Sequence, residues 1–161
     1  MSRYTISLED YFLSALQTRT SCRNFDGVPL TGQQRQSLIR AIDYNPSAGN
    51  IRAYSVFNTG DQTKKNQLQA LALDQEVVGG CSEVFVICSI PSKSSNKYGA
   101  RGELYAIQDA TLAGASITAV ATIMNLDSCW VGSIEPQGVR RILDIPDSHI
   151  PLSFICIGKH V

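Results

Sequence analysis

Residues 104–125 read LYAIQDATLAGASITAVATIMN, the longest helix candidate in the chain. Apolar residues cover most of its circumference, and such a helix has to be buried on almost every side. Ala110, Ala113, Gly114, Ala115, Ala119 and Ala121 are small enough to let neighbouring backbones approach closely. Two arrangements meet that demand: the core helix of a monomer, or a core helix shared with a second copy of the chain. The most apolar portion, Ala110 to Met124, is interrupted by Thr111, Ser116, Thr118 and Thr122. It falls short of the ~18 to 20 apolar residues that a membrane span requires, so a soluble, cytoplasmic protein is expected.

The flanking sequence predicts a sheet for this helix to cover. Glu83 to Ile90 (EVFVICSI) is a nearly continuous apolar run of strand length, which suits a central strand buried on both faces. Tyr54 to Thr59, Cys129 to Gly132 and Leu152 to Ile157 read as further strands. Leu8 to Thr18 has helical spacing with one buried stripe at Leu8, Tyr11, Phe12, Ala15 and Leu16. A second helix opens on the capping-box pattern of Thr31 and Gln34, and Asn45-Pro46 stops it. Asp61 to Leu73 reads as a polar surface helix leaning on Leu68, Leu71 and Ala72. Glu135-Pro136 starts a last helix, with proline near its first turn. PSKSSNKYGARGE, residues 91–103, reads as a loop by composition. The sum is one α+β domain over residues 1–161.

Composition narrows the function. The chain sets 14 Lys and Arg against 14 Asp and Glu, so no overall field steers it to nucleic acid or an anionic membrane. Acidic residues in MSRYTISLEDYF stand where a secretory signal needs an apolar run, so no export signal is expected. Five cysteines without a C-x-x-C pair, and two histidines, argue against a disulfide framework or a metal site. A catalytic thiol is conceivable, but buried small hydrophobes are the favoured reading of Cys88 and Cys156. Glycine-rich phosphate loops and serine-nucleophile motifs are absent from the sequence.

Three segments carry candidate chemistry. In Arg19-Thr20-Ser21-Cys22-Arg23 two guanidiniums four apart, with hydroxyls between them, could surround one phosphate. The alternative is solvated arginines at a helix C-terminus. In Pro46-Ser47-Ala48-Gly49-Asn50, small residues let a flat group approach the backbone. Asn50 offers a donor and an acceptor to a heteroaromatic edge. An ordinary loop with an Asx-type turn is the alternative. In Trp130-Val131-Gly132-Ser133 a strand end precedes a helix, and the amides of Gly132 and Ser133 could point at a ligand. Trp130 itself reads best as a core aromatic.

In this order and spacing the three segments resemble the nitroreductase family of FMN-dependent oxidoreductases. The family's R-[RH]-S-x-R-x-F segment is matched by residues 19–25, its P-S-x-x-N by residues 46–50, and its G-L-x-x-x-W-x-G region by residues 125–132. Tyr98 to Glu103, Gln108-Asp109 and a terminal Ile157-Gly158 fit the same pattern. The resemblance implies a three-layer α+β fold, with a mixed, mostly antiparallel sheet flanked by helices. It also implies a homodimer holding FMN at the subunit interface, with the long central helix there. Arg19, Thr20, Ser21 and Arg23 would hold the phosphate and ribityl chain, with Lys159 as an added cation. Pro46, Ser47, Ala48 and Asn50 would meet the isoalloxazine from the partner subunit, and Val131, Gly132 and Ser133 would lie along its N5 edge. The implied activity passes hydride from NADH or NADPH through flavin N5 to a nitroaromatic, quinone or similar small acceptor in a ping-pong cycle. The flavin carries the chemistry, so no acid–base side chain is nominated. An FMN-storing or sensing module with little turnover is the alternative. The sequence departs from the family at Thr20, at Cys81-Ser82 and at Ile51-Arg52-Ala53-Tyr54, and little chain follows Gly158. A shallow, open pocket is expected.

Overall fold

The computed structural model describes residues 7–161. Its centre is β2 (Glu83–Ser89), every residue of which is buried, as a strand flanked on both edges and covered on both faces must be. β1 (Tyr54–Thr59), β3 (Asp127–Val131) and β4 (Ile150–Gly158) complete a four-stranded sheet in the order β1-β2-β4-β3. All three pairings are antiparallel, with Val56 opposite Ile87, Phe85 opposite Ile155 and Cys129 opposite Cys156. The β2–β4 register slips once, between Ile87 and Cys88. One isolated parallel bridge, Ser21 to Ser128, lays the preceding chain along β3.

Period-two alternation divides the core in two. Val84, Val86, Cys88, Phe154, Cys156, Cys129 and Val131 face one way. They pack under α3 (Gln62–Ala70), α4 (Glu76–Gly80) and α7 (Pro136–Leu143) through Leu68, Val78 and Val139. Phe85, Ile87, Ile155 and Ile157 face the other way. They lie on Leu38 of α2 (Gly32–Ala41) and on Ala110, Ala113, Ile117 and Ala121 of α6 (Gly102–Ile123). Helices, sheet and helices make the three layers expected of this α+β fold.

α2 begins where its capping box places it. Thr31 Oγ1 accepts the Gln34 amide at 3.1 Å, and Gln34 Oε1 accepts the Thr31 amide at 2.9 Å. A short 3-10 turn, Ile42–Tyr44, carries it to Asn45-Pro46. β1 and α1 (Leu8–Thr18) also match their predicted bounds.

Three expectations need correction. Residues 91–98 form a helix, α5 (Pro91–Tyr98), followed by a 3-10 turn at Gly99–Arg101. Proline at its first position favours the start, and packing on α6 overrides the polar composition. A Cβ at Gly102 would fall 2.3 Å from the Ser95 amide nitrogen, so the two helices meet backbone to backbone. Second, α1 has no buried residue: Leu8, Tyr11, Phe12, Leu13 and Leu16 are all exposed. Third, the helical run Pro91–Ile123 contains an 18-residue window with a mean hydropathy of 1.2, enough by length and composition alone to cross a membrane. Its buried face lies on the sheet, as in a core helix. The opposite face leaves Leu104, Ile107 and Leu112 exposed.

Candidate functional site

The Pro46–Asn50 segment is built tightly around a short 3-10 turn, Ala48–Asn50. Ser47 Oγ accepts the Arg52 amide at 3.0 Å, and the Asn50 amide donates to the Ser47 carbonyl at 2.9 Å. Gly49, Asn50 and Arg52 all adopt left-handed backbone, at φ 58°, 57° and 53°. Such a conformation is costly for arginine and tolerable for asparagine, so the surroundings must enforce it. Asp109 is that constraint. Its carboxylate, 3% exposed, accepts the Ala48 amide at 3.0 Å and the Ala53 amide at 3.5 Å. Asn45 adds a third tie, its Oδ1 accepting from the Ser116 hydroxyl of α6.

This clamp sets the loop against α6 and leaves a pocket of about 620 Å³ between them. Pro46, Ser47 and Ala48 form one wall; Tyr105, Gln108, Thr111 and Leu112 are among the residues of the other. The surface is mostly apolar and wide open, as expected for a shallow site receiving a flat ring. Asn50 is exposed, and its side chain makes no hydrogen bond among the described residues. Its amide is therefore available to a ring edge.

The arginine segment lies elsewhere. Cys22 donates its amide to the Ser128 carbonyl at 3.0 Å, which fixes residues 19–23 alongside β3. Arg19, Thr20, Ser21 and Arg23 are exposed. Among the described residues no carboxylate lies within 4 Å of either guanidinium. Two unneutralised guanidiniums with two hydroxyls form a donor set suited to a phosphate. Val131 ends β3 nearby and is buried, while Gly132 and Ser133 are exposed, and a Cβ at Gly132 would meet nothing within 4 Å. Open space and free amides there suit a ligand lying along the strand end.

The structure thus brings residues 19–23 and 131–133 to the β3 edge and puts residues 46–50 at the start of β1, the opposite edge of the same sheet. The Lys159 side chain opens on a separate cavity of about 210 Å³ lined by Asp26, Leu30 and Gln34. Trp130 is 40% exposed, not the core aromatic that was favoured. Its indole stands on α6 where Gly114 leaves room, since a Cβ there would come within 2.6 Å of the ring.

A thiol nucleophile finds no support. All five cysteines are buried, and burial raises the Cys22 and Cys129 thiols above their ordinary range. Cys81 is shifted down, first by its hydrogen bond with Cys156 and then, against burial, by Lys65. It is fully enclosed, so no substrate reaches it.

Asp109 and Tyr105 are the residues that sequence reasoning missed. Asp109 stood in the sequence as half of a Gln-Asp pair, and a carboxylate on the buried face of an apolar helix was the available signal.

Residues 55–159 match the sequence model of the Nitroreductase family, and the chain belongs to that family. It is 25% identical over 160 residues to an FMN reductase (NADPH) of Bacillus subtilis, covering 91% of this chain and 64% of that one. It is 27% identical over 165 residues to an NADPH-dependent oxidoreductase of Staphylococcus aureus, covering 94% and 66%. The chain therefore spans about two thirds of the length of these relatives. The fold superposes on the NfrA1 nitroreductase of Bacillus subtilis with a TM-score of 0.85 at 24% identity, covering 93% of this chain and 66% of that one. It also superposes on an FMN-dependent nitroreductase of Clostridium difficile with a TM-score of 0.80 at 21% identity, covering 92% and 87%.

Proposed function

We propose that this protein is an FMN-dependent NAD(P)H oxidoreductase that works as a homodimer. The observation that carries the reading is the separation of the donor sets. The phosphate-suited guanidiniums and the ring-suited loop occupy opposite edges of one sheet, so a single protomer cannot wrap one cofactor with both. A second copy, packed on the exposed apolar face of α6 and on α1, would bring one chain's loop to the other chain's β3 edge. Leu104, Ile107, Leu112, Trp130 and the apolar side chains of α1 supply that face. Contiguous exposed apolar surface of this kind marks an interaction site.

In this reading Arg19 and Arg23 neutralise the phosphate, while Thr20 and Ser21 complete its hydrogen bonds. Pro46, Ser47 and Ala48 pack on the flat ring, and Asn50 pairs with its polar edge. Val131, Gly132 and Ser133 border its reactive side. Lys159 serves as a further cation only if its side chain turns out of its present cavity. Bound FMN would supply the two-electron hydride chemistry between a reduced nicotinamide and a small acceptor such as a quinone or nitroarene. The chain's own part is to bind, orient and keep one ring face open. The names borne by the Bacillus and Staphylococcus relatives favour this activity.

The test is an absorbance spectrum of the purified protein after incubation with FMN, followed by anaerobic NADH or NADPH. Yellow protein that bleaches on nicotinamide addition and recovers with a quinone is expected, together with a dimeric mass by light scattering. Protein that retains no FMN, or that holds it as a stable monomer, overturns the reading.

A further inference from the structure

On the α6 wall of the loop pocket one hydroxyl is uncommitted, and the proposed flavin contacts do not use it. Tyr105 lines that wall and is half-buried. Arg101, one turn earlier, donates Nε–H to Tyr105 Oη at 3.0 Å, with its guanidinium carbon 5.5 Å from the ring centroid. The phenol oxygen is the acceptor in that bond, and among the described residues its own O–H has no acceptor. Thr111, the other hydroxyl on this wall, is spent on its own helix, donating to the Ile107 carbonyl at 2.8 Å.

The phenol is held and charged from behind. Tyr98 stands edge to face against the Tyr105 ring, at 5.1 Å and 88°. The loop closes on Tyr98 in turn, since a Cβ on Gly49 would fall 2.3 Å from Tyr98 Oη. Among the described residues no carboxylate lies within 4 Å of the Arg101 guanidinium, so its charge acts on the phenol undiminished. Arg101 is not itself part of the pocket lining and reaches the cavity only through Tyr105. A hydroxyl whose oxygen already accepts from a cation gives up its own proton more readily, because the cation stays to pair with the anion left behind.

Hydride delivered to a quinone or an enone leaves an electron pair on an oxygen. In a mostly apolar pocket that charge needs a proton or a strong donor at once. Resting on the flavin reading above, we propose that Tyr105 is the proton donor to the acceptor, with Arg101 as the positioning residue that sustains the donation. The hydride comes from the reduced cofactor. The O–H bond of Tyr105 breaks and an O–H bond forms on the acceptor oxygen. The phenolate left behind pairs with Arg101 and regains a proton from water at the open mouth of the pocket. Conjugated carbonyl compounds, quinones foremost, are then the acceptor class, since they take up a proton on oxygen together with their hydride.

The binding probe is 4-nitrophenol, whose anion mimics an acceptor oxygen that has gained charge. Its ionisation is read as a difference spectrum on the oxidised, FMN-loaded protein, where nothing turns over without nicotinamide. The anion is expected to bind about tenfold more tightly than the neutral phenol, the value of one charged hydrogen bond. Tyr105→Phe should bring the two forms near parity. In stopped-flow oxidation of the pre-reduced protein, Tyr105→Phe should slow reaction with a quinone by about 10²-fold, as loss of a general acid does. Ferricyanide, which takes electrons without a proton, should react at the parent's rate. Arg101→Gln should slow the quinone less, and Arg101→Lys should restore part of that loss. Thermal melts and flavin absorbance check that fold and cofactor are retained; if the Phe variant loses either, the parent's nitrophenol comparison and the two Arg101 variants decide. Yellow parent protein that binds phenol and phenolate equally, or a Phe variant that meets quinone at the parent's rate, overturns the assignment and leaves the flavin reading standing. Equal slowing of quinone and ferricyanide overturns it too, since the phenol then only shapes the cleft. Protein that takes no FMN ends both.

Discussion

The carboxylate of Asp109 receives the amide of Ala48 at 3.0 Å across 61 residues of sequence. One buried anion therefore holds a loop whose backbone is left-handed at three of its positions. Asp109→Ala should free two amides and let the loop relax. It is expected to cost roughly 1.5–3 kcal/mol, as charge-assisted hydrogen bonds do, and to weaken FMN retention more than in proportion. Asp109→Asn, which keeps one acceptor oxygen, should lose less. Urea unfolding and FMN titration measure the two effects. Equal behaviour of the Ala variant and the parent would mean that the loop stands unaided.

A second buried anion fixes the β1–β2 end of the sheet. The Glu83 side chain is 1% exposed and receives Arg35 Nε at 2.7 and 2.8 Å, with Asn58 Nδ2 as a further donor. Arg35→Ala strands that carboxylate without its cation, so a loss of roughly 3 kcal/mol is expected. The double change Arg35→Met, Glu83→Leu should recover much of it, because packed apolar side chains replace the pair without leaving a charge behind. A double variant no more stable than Arg35→Ala would count against that account.

Trp130 is the chain's sole tryptophan, so its fluorescence reports one place. Gly114→Ala puts a methyl group where the indole now lies. The ring must swing outward, and overpacking of this kind costs about 1–3 kcal/mol. A red-shifted emission maximum with a lower melting temperature is expected. An unchanged spectrum would mean that the indole does not rest there.

His149 gives a pH signature. Burial, reinforced by Lys93, holds its imidazole below the ordinary 6.5, and its ring stands edge-on to Phe57 at 5.8 Å. As pH falls below about 6.5 the unfolded chain takes up this proton before the folded one does, so stability declines towards acid. It is fully present above that pH. His149→Gln should therefore melt with a shallower pH dependence than the parent between about pH 7 and 5. Parallel curves would show that the ring is not protected.

Legibility in the sequence followed the range of the forces. The capping box of Thr31 and Gln34 spans four residues, and α2 starts where it says. β2 is a nearly continuous apolar run, and it lies at the centre. Residues 91–98 are different: serine, asparagine and lysine say loop, and only the close approach at Gly102 makes them a helix. The short α4, ending in two glycines, offered no periodic pattern to read. In the site, the Pro46–Asn50 motif was visible as a motif, but its anchor was not, because Asp109 reaches it only through the tertiary fold. The apolar stripe of α1 was visible as well, and it was expected to be buried. Nothing among the described residues covers it.

The five cysteines share one layer of the core, between the sheet and the helices α3, α4 and α7. While the chain is folded they are shielded, and burial lifts Cys88 to about 12, where thiolate is scarce. Once that layer opens, all five become ordinary thiols together. Because five is odd, any complete pairing within the molecule leaves one sulfur over. Denaturation in air should thus become irreversible through scrambled and intermolecular cross-links, and renaturation should demand a reductant from the first moment of dilution.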